Sequence, residues 1–247
     1  MTSPERLVLL GIFPHPDDES VVAPVLARYA REGADVYVVY ATSGERGVRP
    51  HFAIPHGQTL GQCRRLEAEA ASRELGIKPP IFLGFEDGSL GEFTSPPGKV
   101  LRDLTAALEK VLADLRPNAI VTWGPDGGYG HPDHRLLQDV ITQLVQSGAT
   151  TPNLYYFGIS HQSLQGASGP FSGFFATDAR YLTVHVPFSD ADLDAARRSF
   201  ACHKSQFAED VIAYLDRFLT QAWSGRVSFR PWFCQHPGEK DSTDLLT

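Results

Sequence analysis

The chain predicts an α/β fold, a Rossmann-like three-layer α/β/α arrangement around a mostly parallel sheet, and three observations carry that reading. Apolar, β-rich runs alternate with helix-patterned segments, the order that builds parallel strands joined by crossover helices and covered on both faces. Polar loops, three of the four glycine-containing, follow the first four strands, where open α/β sheets gather their ligand sites. At 247 residues with 42% aliphatic and aromatic side chains, the chain suits one large α/β unit with a substantial core.

Taken in order, the run Leu7-Val8-Leu9-Leu10-Gly11-Ile12-Phe13 makes Arg6 to Phe13 a strand, followed by a helix from Glu19 to Glu32. Asp35 to Ala41 is the second strand and Gly57 to Leu75 the second helix. Pro80 to Leu83 with Lys99 to Leu115 forms the third pair, and Ala119 to Trp123 with Pro132 to Gln146 the fourth. Leu154 to Ile159 and Tyr181 to Val186 read as further strands, and the amphipathic region Asp190 to Trp223 as one or two helices. No internal repeat or low-complexity linker interrupts the pattern, so residues 1–247 are expected to form a single domain.

The formal net charge of −7, without a Lys/Arg cluster, argues against a nucleic-acid partner. The first apolar run is too short to span a bilayer and lacks a small-residue cleavage site, so no membrane insertion and a cytoplasmic location are expected. Cys63, Cys202 and Cys234 are odd in number and widely spaced, which favours buried thiols over a disulfide framework or a thiolate zinc cluster. Oligomeric state is left open, a homo-oligomer included.

Four loops should face one crevice: Pro14-His15-Pro16-Asp17-Asp18-Glu19, Ser43-Gly44-Glu45-Arg46-Gly47, Gly84-Phe85-Glu86-Asp87-Gly88, and Gly124 through His134. His15 and Asp18 lie three apart at a strand-to-helix junction, and His131 and His134 repeat the spacing at another. Pro16 and Pro132 both suit an early helical position. Two histidines and a carboxylate with an open water position are the ligand set of catalytic zinc, and Asp17, beside Asp18, would stay free to accept a proton. The competing reading makes Asp17 or Asp18 a helix cap, Glu19 a complement to the macrodipole, and His131 and His134 solvated. The joint occurrence of both motifs at equivalent strand ends favours the metal.

With these motifs the sequence resembles the PIG-L/LmbE-like family of zinc-dependent N-acetylglucosaminyl deacetylases, which includes deacetylases and amidases of mycothiol and bacillithiol metabolism. His15-Pro16-Asp17-Asp18-Glu19 and His131-Pro132-Asp133-His134 carry the likeness. Thr42 through Gly47, the Arg-x-x-Glu segment from Arg64 to Gly76, Asp87-Gly88 and His203-Lys204-Ser205-Gln206 support it in the same order. The resemblance implies a zinc enzyme in which His15, Asp18 and His134 bind the ion, with Fe²⁺ or Co²⁺ accepted by the same ligands. It further implies Asp17 as general base and a protonated His131 as general acid or oxyanion partner. Arg64 and Asp87 fall at the sugar, with neighbouring Arg65 an alternative to Arg64, and Glu45 and Tyr129 are further candidate substrate contacts. The implied reaction is hydrolysis of a linear amide, removing an N-acetyl group from an N-acetylglucosamine-containing small molecule.

Two other classes compete. A metal-dependent phosphoesterase would use the same loops, commonly with two ions. A non-catalytic nucleotide-binding module would need a phosphate cradle, and the first loop has no Gly-x-Gly-x-x-Gly. Asp133 is a candidate to orient His131. Trp123, Trp223, Trp232 and Phe233 read as packing, and Arg49, His51 and His56 as solvated loop residues that could rim the site. His203-Lys204-Ser205-Gln206 has no assigned role beyond a locally capped helix start.

Overall fold

The computed structural model describes residues 6–47, 52–91, 98–148, 152–165, 173–233 and 241–246. The first half consists of β1 (Val8–Phe13), α1 (Ala23–Arg31), β2 (Asp35–Thr42), α2 (Leu60–Leu75), β3 (Ile81–Phe85), α3 (Lys99–Leu115), β4 (Ala119–Thr122) and the single turn α4 (Gly127–Gly130). It continues with α5 (Pro132–Gln146), β5 (Asn153–Phe157), β6 (Val184–Pro187), α6 (Asp190–Phe200), α7 (Glu209–Trp223) and β7 (Arg226–Pro231). The strands form one sheet in the order β3-β2-β1-β4-β5-β7-β6. The first five are mutually parallel, while β7 runs antiparallel to both β5 and β6.

Because side chains alternate across a strand, the sheet feeds two cores. Leu9 and Phe13 of β1 face one, with Val38, Val121 and the helices α1, α6 and α7. Leu10 and Ile12 face the other, against Leu104, Leu108 and Leu112 of α3 and Leu137, Val140, Ile141 and Leu144 of α5. The three-layer expectation therefore holds, and among the described residues no helix is long and apolar enough to cross a membrane.

Several boundaries differ from the sequence expectations, each for a local reason. The first helix does not begin at Glu19: Asp18–Val22 form a 3-10 turn and α1 starts at Ala23, with Pro24 in its first turn. The second begins at Leu60, where Thr59 and Gln62 form a reciprocal capping box. The Asp190–Trp223 region divides into α6 and α7, with the His203-Lys204-Ser205-Gln206 segment in the break. Strand β7 goes beyond the sequence expectations. It buries only Val227 and Phe229 in alternation with more exposed residues, a pattern weaker than the continuous apolar runs of β1 and β2. Trp223 is buried as expected, whereas Phe233 is exposed. Cys63 is buried and Cys202 partly so, both free thiols. Arg49, His51 and Cys234 lie outside the described residues.

Candidate metal centre

Strands β1 and β4 are adjacent and parallel, so the loops leaving their carboxyl ends meet. After β1 the chain is held at Pro14, whose carbonyl accepts the Thr42 N–H at 2.9 Å and hydroxyl at 3.0 Å. Asp17 then adopts φ 104°, a backbone state that costs a non-glycine residue about 1–3 kcal/mol and persists only where surroundings enforce it. They do: its N–H donates to Glu19 Oε2 at 2.9 Å, and Arg64 Nη2 reaches its Oδ2 at 3.0 Å. Neither acid caps the following turn. Asp17 makes no capping hydrogen bond, and Asp18 turns back to accept the His15 N–H at 2.9 Å.

His134, fully buried at the start of α5, shows what the cluster can hold. Its Nδ1 lies 3.0 Å from the Gly127 carbonyl, and because a carbonyl only accepts, Nδ1 carries the proton. Burial pushes the His134 pKa down to about 4, so the ring is neutral and Nε2 is a bare lone pair. That Nε2 has no hydrogen-bond partner among the described residues, yet it faces Asp18 Oδ1 at 3.4 Å. The other Asp18 oxygen lies 3.4 Å from His15 Nδ1. Two acceptors confronting each other in a buried site repel unless a cation lies between them. Ligand atoms about 2.1 Å from a tetrahedral zinc ion are themselves about 3.4 Å apart, so the residues fit such an ion.

His15 is oriented from behind. Its Nε2 meets Asp87 Oδ1 at 3.0 Å and Asp133 Oδ2 at 3.3 Å, the carboxylate–imidazole arrangement that fixes a metal-binding ring and leaves the other nitrogen for the ion. Asp133 therefore does not orient His131 with its side chain, as the sequence suggested. Its carboxylate accepts from Gly88 N at 2.8 Å and Gly91 N at 3.1 Å and turns to His15, while its own N–H donates to His131 Nδ1 at 3.2 Å. One ligand nitrogen from each of His15, His131 and His134 lies within 4.8 Å of the others, so the structure brings all three histidines together.

Charge in the cluster is unevenly tuned. Burial opposes protonation of His15, but Asp133, Asp18 and Asp87 outweigh it and hold its pKa well above the ordinary value. Burial likewise works against the Asp18 carboxylate, and His134 and His15 nevertheless keep it far below the usual range. Asp17 goes the other way: burial raises it to about 7 despite the opposing Arg64. For His131, burial and neighbouring His15 depress the pKa. The His131 Nδ1 accepts the Asp133 N–H, which in a neutral ring leaves the proton on Nε2.

Around the histidines lies a cavity of about 350 Å³ lined by His15, Asp17, Asp18, Arg64, Asp87 and His131, with Arg46, Tyr129 and Gln206 at its wall. Of the neighbouring pair Arg64 and Arg65, Arg64 is the one that reaches the cavity. It is buried, donates to the Gly44 carbonyl at 2.8 Å and to the Pro16 carbonyl, and pairs with Asp17. Gly44 must be glycine: at φ 63° a Cβ would fall 2.0 Å from Arg64 Nη1. Arg65 instead bonds Ser43 Oγ and stacks over Phe82. Asp87 lines the cavity but spends its carboxylate on His15 and the Arg46 N–H. Glu45 is absent from the wall; its Oε1 accepts the Asp87 N–H at 2.8 Å and so ties two loops together. Tyr129 is 45% exposed and its ring lies 5.2 Å from that of His134.

Sequence reasoning leaves His203-Lys204-Ser205-Gln206 without a role and offers local capping; the structure gives long-range contacts instead. His203 Nε2 meets Glu19 Oε1 at 2.6 Å, and Glu19 Oε2 in turn holds the Asp17 N–H. Ser205 donates from its N–H at 2.8 Å and hydroxyl at 2.5 Å to Glu67. These anchors place Gln206 in the cavity wall, its Oε1 buried without a partner among the described residues. Through Glu19, His203 braces the backbone of Asp17. The His203→Ala variant should retain the metal content of the wild type while kcat falls by about 10–100-fold, the usual cost of removing such a support; equal loss of metal and activity would point to a merely structural role.

A three-layer α/β/α protein with a buried His/Asp cluster suited to a divalent cation, set at the carboxyl edge of its parallel strands, is the class that fold and site define. Within it the chain belongs to the PIG-L family: residues 10–145 match the family described as GlcNAc-PI de-N-acetylase. A 1D-myo-inositol 2-acetamido-2-deoxy-alpha-D-glucopyranoside deacetylase of Mycobacterium sp. (strain KMS) is 36% identical over 173 residues, 64% of this chain and 56% of that protein. The chain thus spans little more than half the length of that relative. A protein of the same description from Streptomyces griseus is 41% identical over 248 residues, covering 84% of this chain and 77% of its own length. A conserved protein of Thermus thermophilus shares the fold, with a TM-score of 0.64 over 94% of this chain and 96% of its own at 22% identity.

Proposed function

We propose that the chain is a zinc-dependent hydrolase that removes an N-acyl group such as acetyl from an N-acetylglucosamine-containing small molecule. The observation that carries this reading is the bare Nε2 of His134 facing Asp18, next to a carboxylate, Asp17, that stays outside the cluster with a pKa near neutrality. The relatives' description as deacetylases of a glucosamine–inositol conjugate supports the substrate class. His15, Asp18 and His134 would hold the ion, which when bound supplies Lewis acidity that activates water and polarises an amide carbonyl.

The chain's own residues account for the protons. Asp17, one oxygen of which Arg64 holds, takes the proton of the attacking water, a transfer best served by a base whose pKa lies near working pH. His131 presents Nε2–H to the developing oxyanion as a neutral donor. A neutral ring is a poor source of a second proton, so the protonated Asp17 delivers it to the departing amine. Arg46, Arg64 and Asp87 offer polar groups to the sugar from the cavity wall. The phosphoesterase reading would draw on the second cluster of His15, Asp87 and Asp133. Both Asp133 oxygens already accept backbone N–H bonds and Asp87 accepts from Arg46, which makes that set a support for His15 rather than a second ion site.

The test is amine release from N-acetylglucosamine, its inositol and malate conjugates and chitooligosaccharides, measured before and after chelation. Release from at least one conjugate is expected, lost on chelation and restored by zinc or cobalt. Undiminished turnover by protein verified free of metal would overturn the assignment.

A further inference from the structure

We propose that an apolar lobe beside Asp17 and Asp18 selects N-acyl chains of about four to six carbons over acetyl; the inference rests on the N-deacylation reading and names its acyl class. Two cavities share Asp17, Asp18, Tyr129 and Gln206 in their walls. The larger carries the charged and polar groups already described. The smaller, about 180 Å³, is walled chiefly by Val21, Trp123, Phe174, Phe207, Leu215 and Leu219. An amide held at the junction has its sugar in the polar lobe and its acyl carbons in the apolar one.

Volume and chemistry then set the chain length. An acetyl group places one methyl beyond the carbonyl and leaves most of the lobe unfilled. A dry apolar cavity of about 150 Å³ accommodates benzene, so the lobe has room for about six carbons. Each methylene moved from water onto such a wall is worth roughly fourfold in kcat/KM when the contact persists in the transition state. Ser20 Oγ and Trp123 Nε1, also from residues of this wall, are buried without partners among the described residues, so a hydroxyl on the chain finds a hydrogen bond there.

The experiment compares glucosaminyl-inositol N-acylated with acetyl, butanoyl, hexanoyl and decanoyl groups on the zinc-loaded full chain. The expected kcat/KM for hexanoyl exceeds that for acetyl by about tenfold or more and falls again at decanoyl. In Leu215→Trp, which fills the lobe, the hexanoyl-to-acetyl ratio should drop at least about tenfold; in Phe207→Ala the optimum should move toward longer chains. Acetyl cleaved as well as or better than hexanoyl by the wild type would overturn the proposal while leaving deacetylation intact. No amine release from any member would instead refute the parent reading, and the proposal with it.

Discussion

Replacing Asp17 by asparagine should leave about one divalent ion bound per chain while kcat falls by roughly 10³-fold or more, toward the upper end of what a general base contributes. The substitution keeps the side chain's shape and its approach to Arg64 and removes only the capacity to take a proton. Metal analysis and steady-state rates on the same preparation check both halves, and activity within tenfold of the wild type would remove Asp17 from the role. A pH profile adds a second readout. The base acts only when deprotonated, so kcat/KM should rise with pH through its pKa. Burial sets that value at about 7 without the ion, and a bound dication next to the carboxylate can only lower it, so the acid limb belongs at or below pH 7. The residual activity of Asp17→Asn should lack that limb.

His134→Ala should do the opposite, losing the ion and the activity together. The affected ring supplies the buried lone pair that faces Asp18, and a catalytic zinc site with two remaining protein ligands is incomplete. Removing it also opens a hole against Trp123, whose ring stacks on His134 at 4.9 Å, so His134→Gln serves as the better-filled control. Both variants should show sub-stoichiometric metal after desalting, with activity at least about 10³-fold down. A full complement of tightly bound zinc in His134→Gln, at unchanged affinity, would exclude the residue from the ligand set.

The parts of this molecule legible in the sequence are those written in local pattern. Strands β1, β2 and β4 are near-continuous apolar runs because helices cover both faces, and the rule that sites collect at their carboxyl ends located both His/Asp motifs. The histidines expected to converge do so, with Asp17 and Arg64 beside them. What escaped the sequence depends on partners remote along the chain. His203 meets Glu19 across 184 positions and Ser205 meets Glu67 across 138, and no spacing rule reports such pairs. Asp133 illustrates the same limit: adjacency suggested His131, but two glycine amides and His15, 118 residues away, claimed its carboxylate. Glu45 was a candidate substrate contact, and only the folded loops reveal that it also braces Asp87. Strand β7 escaped because its short alternation is faint beside a preceding amphipathic helix.

The meeting of the β1 and β4 loops has a thermodynamic corollary. An ion grasped at once by His15 and His134 ties together segments that the unfolded polymer holds far apart, so occupancy must raise the melting temperature by mass action. Thermal denaturation thus becomes a gauge of cation preference that needs no knowledge of the natural substrate.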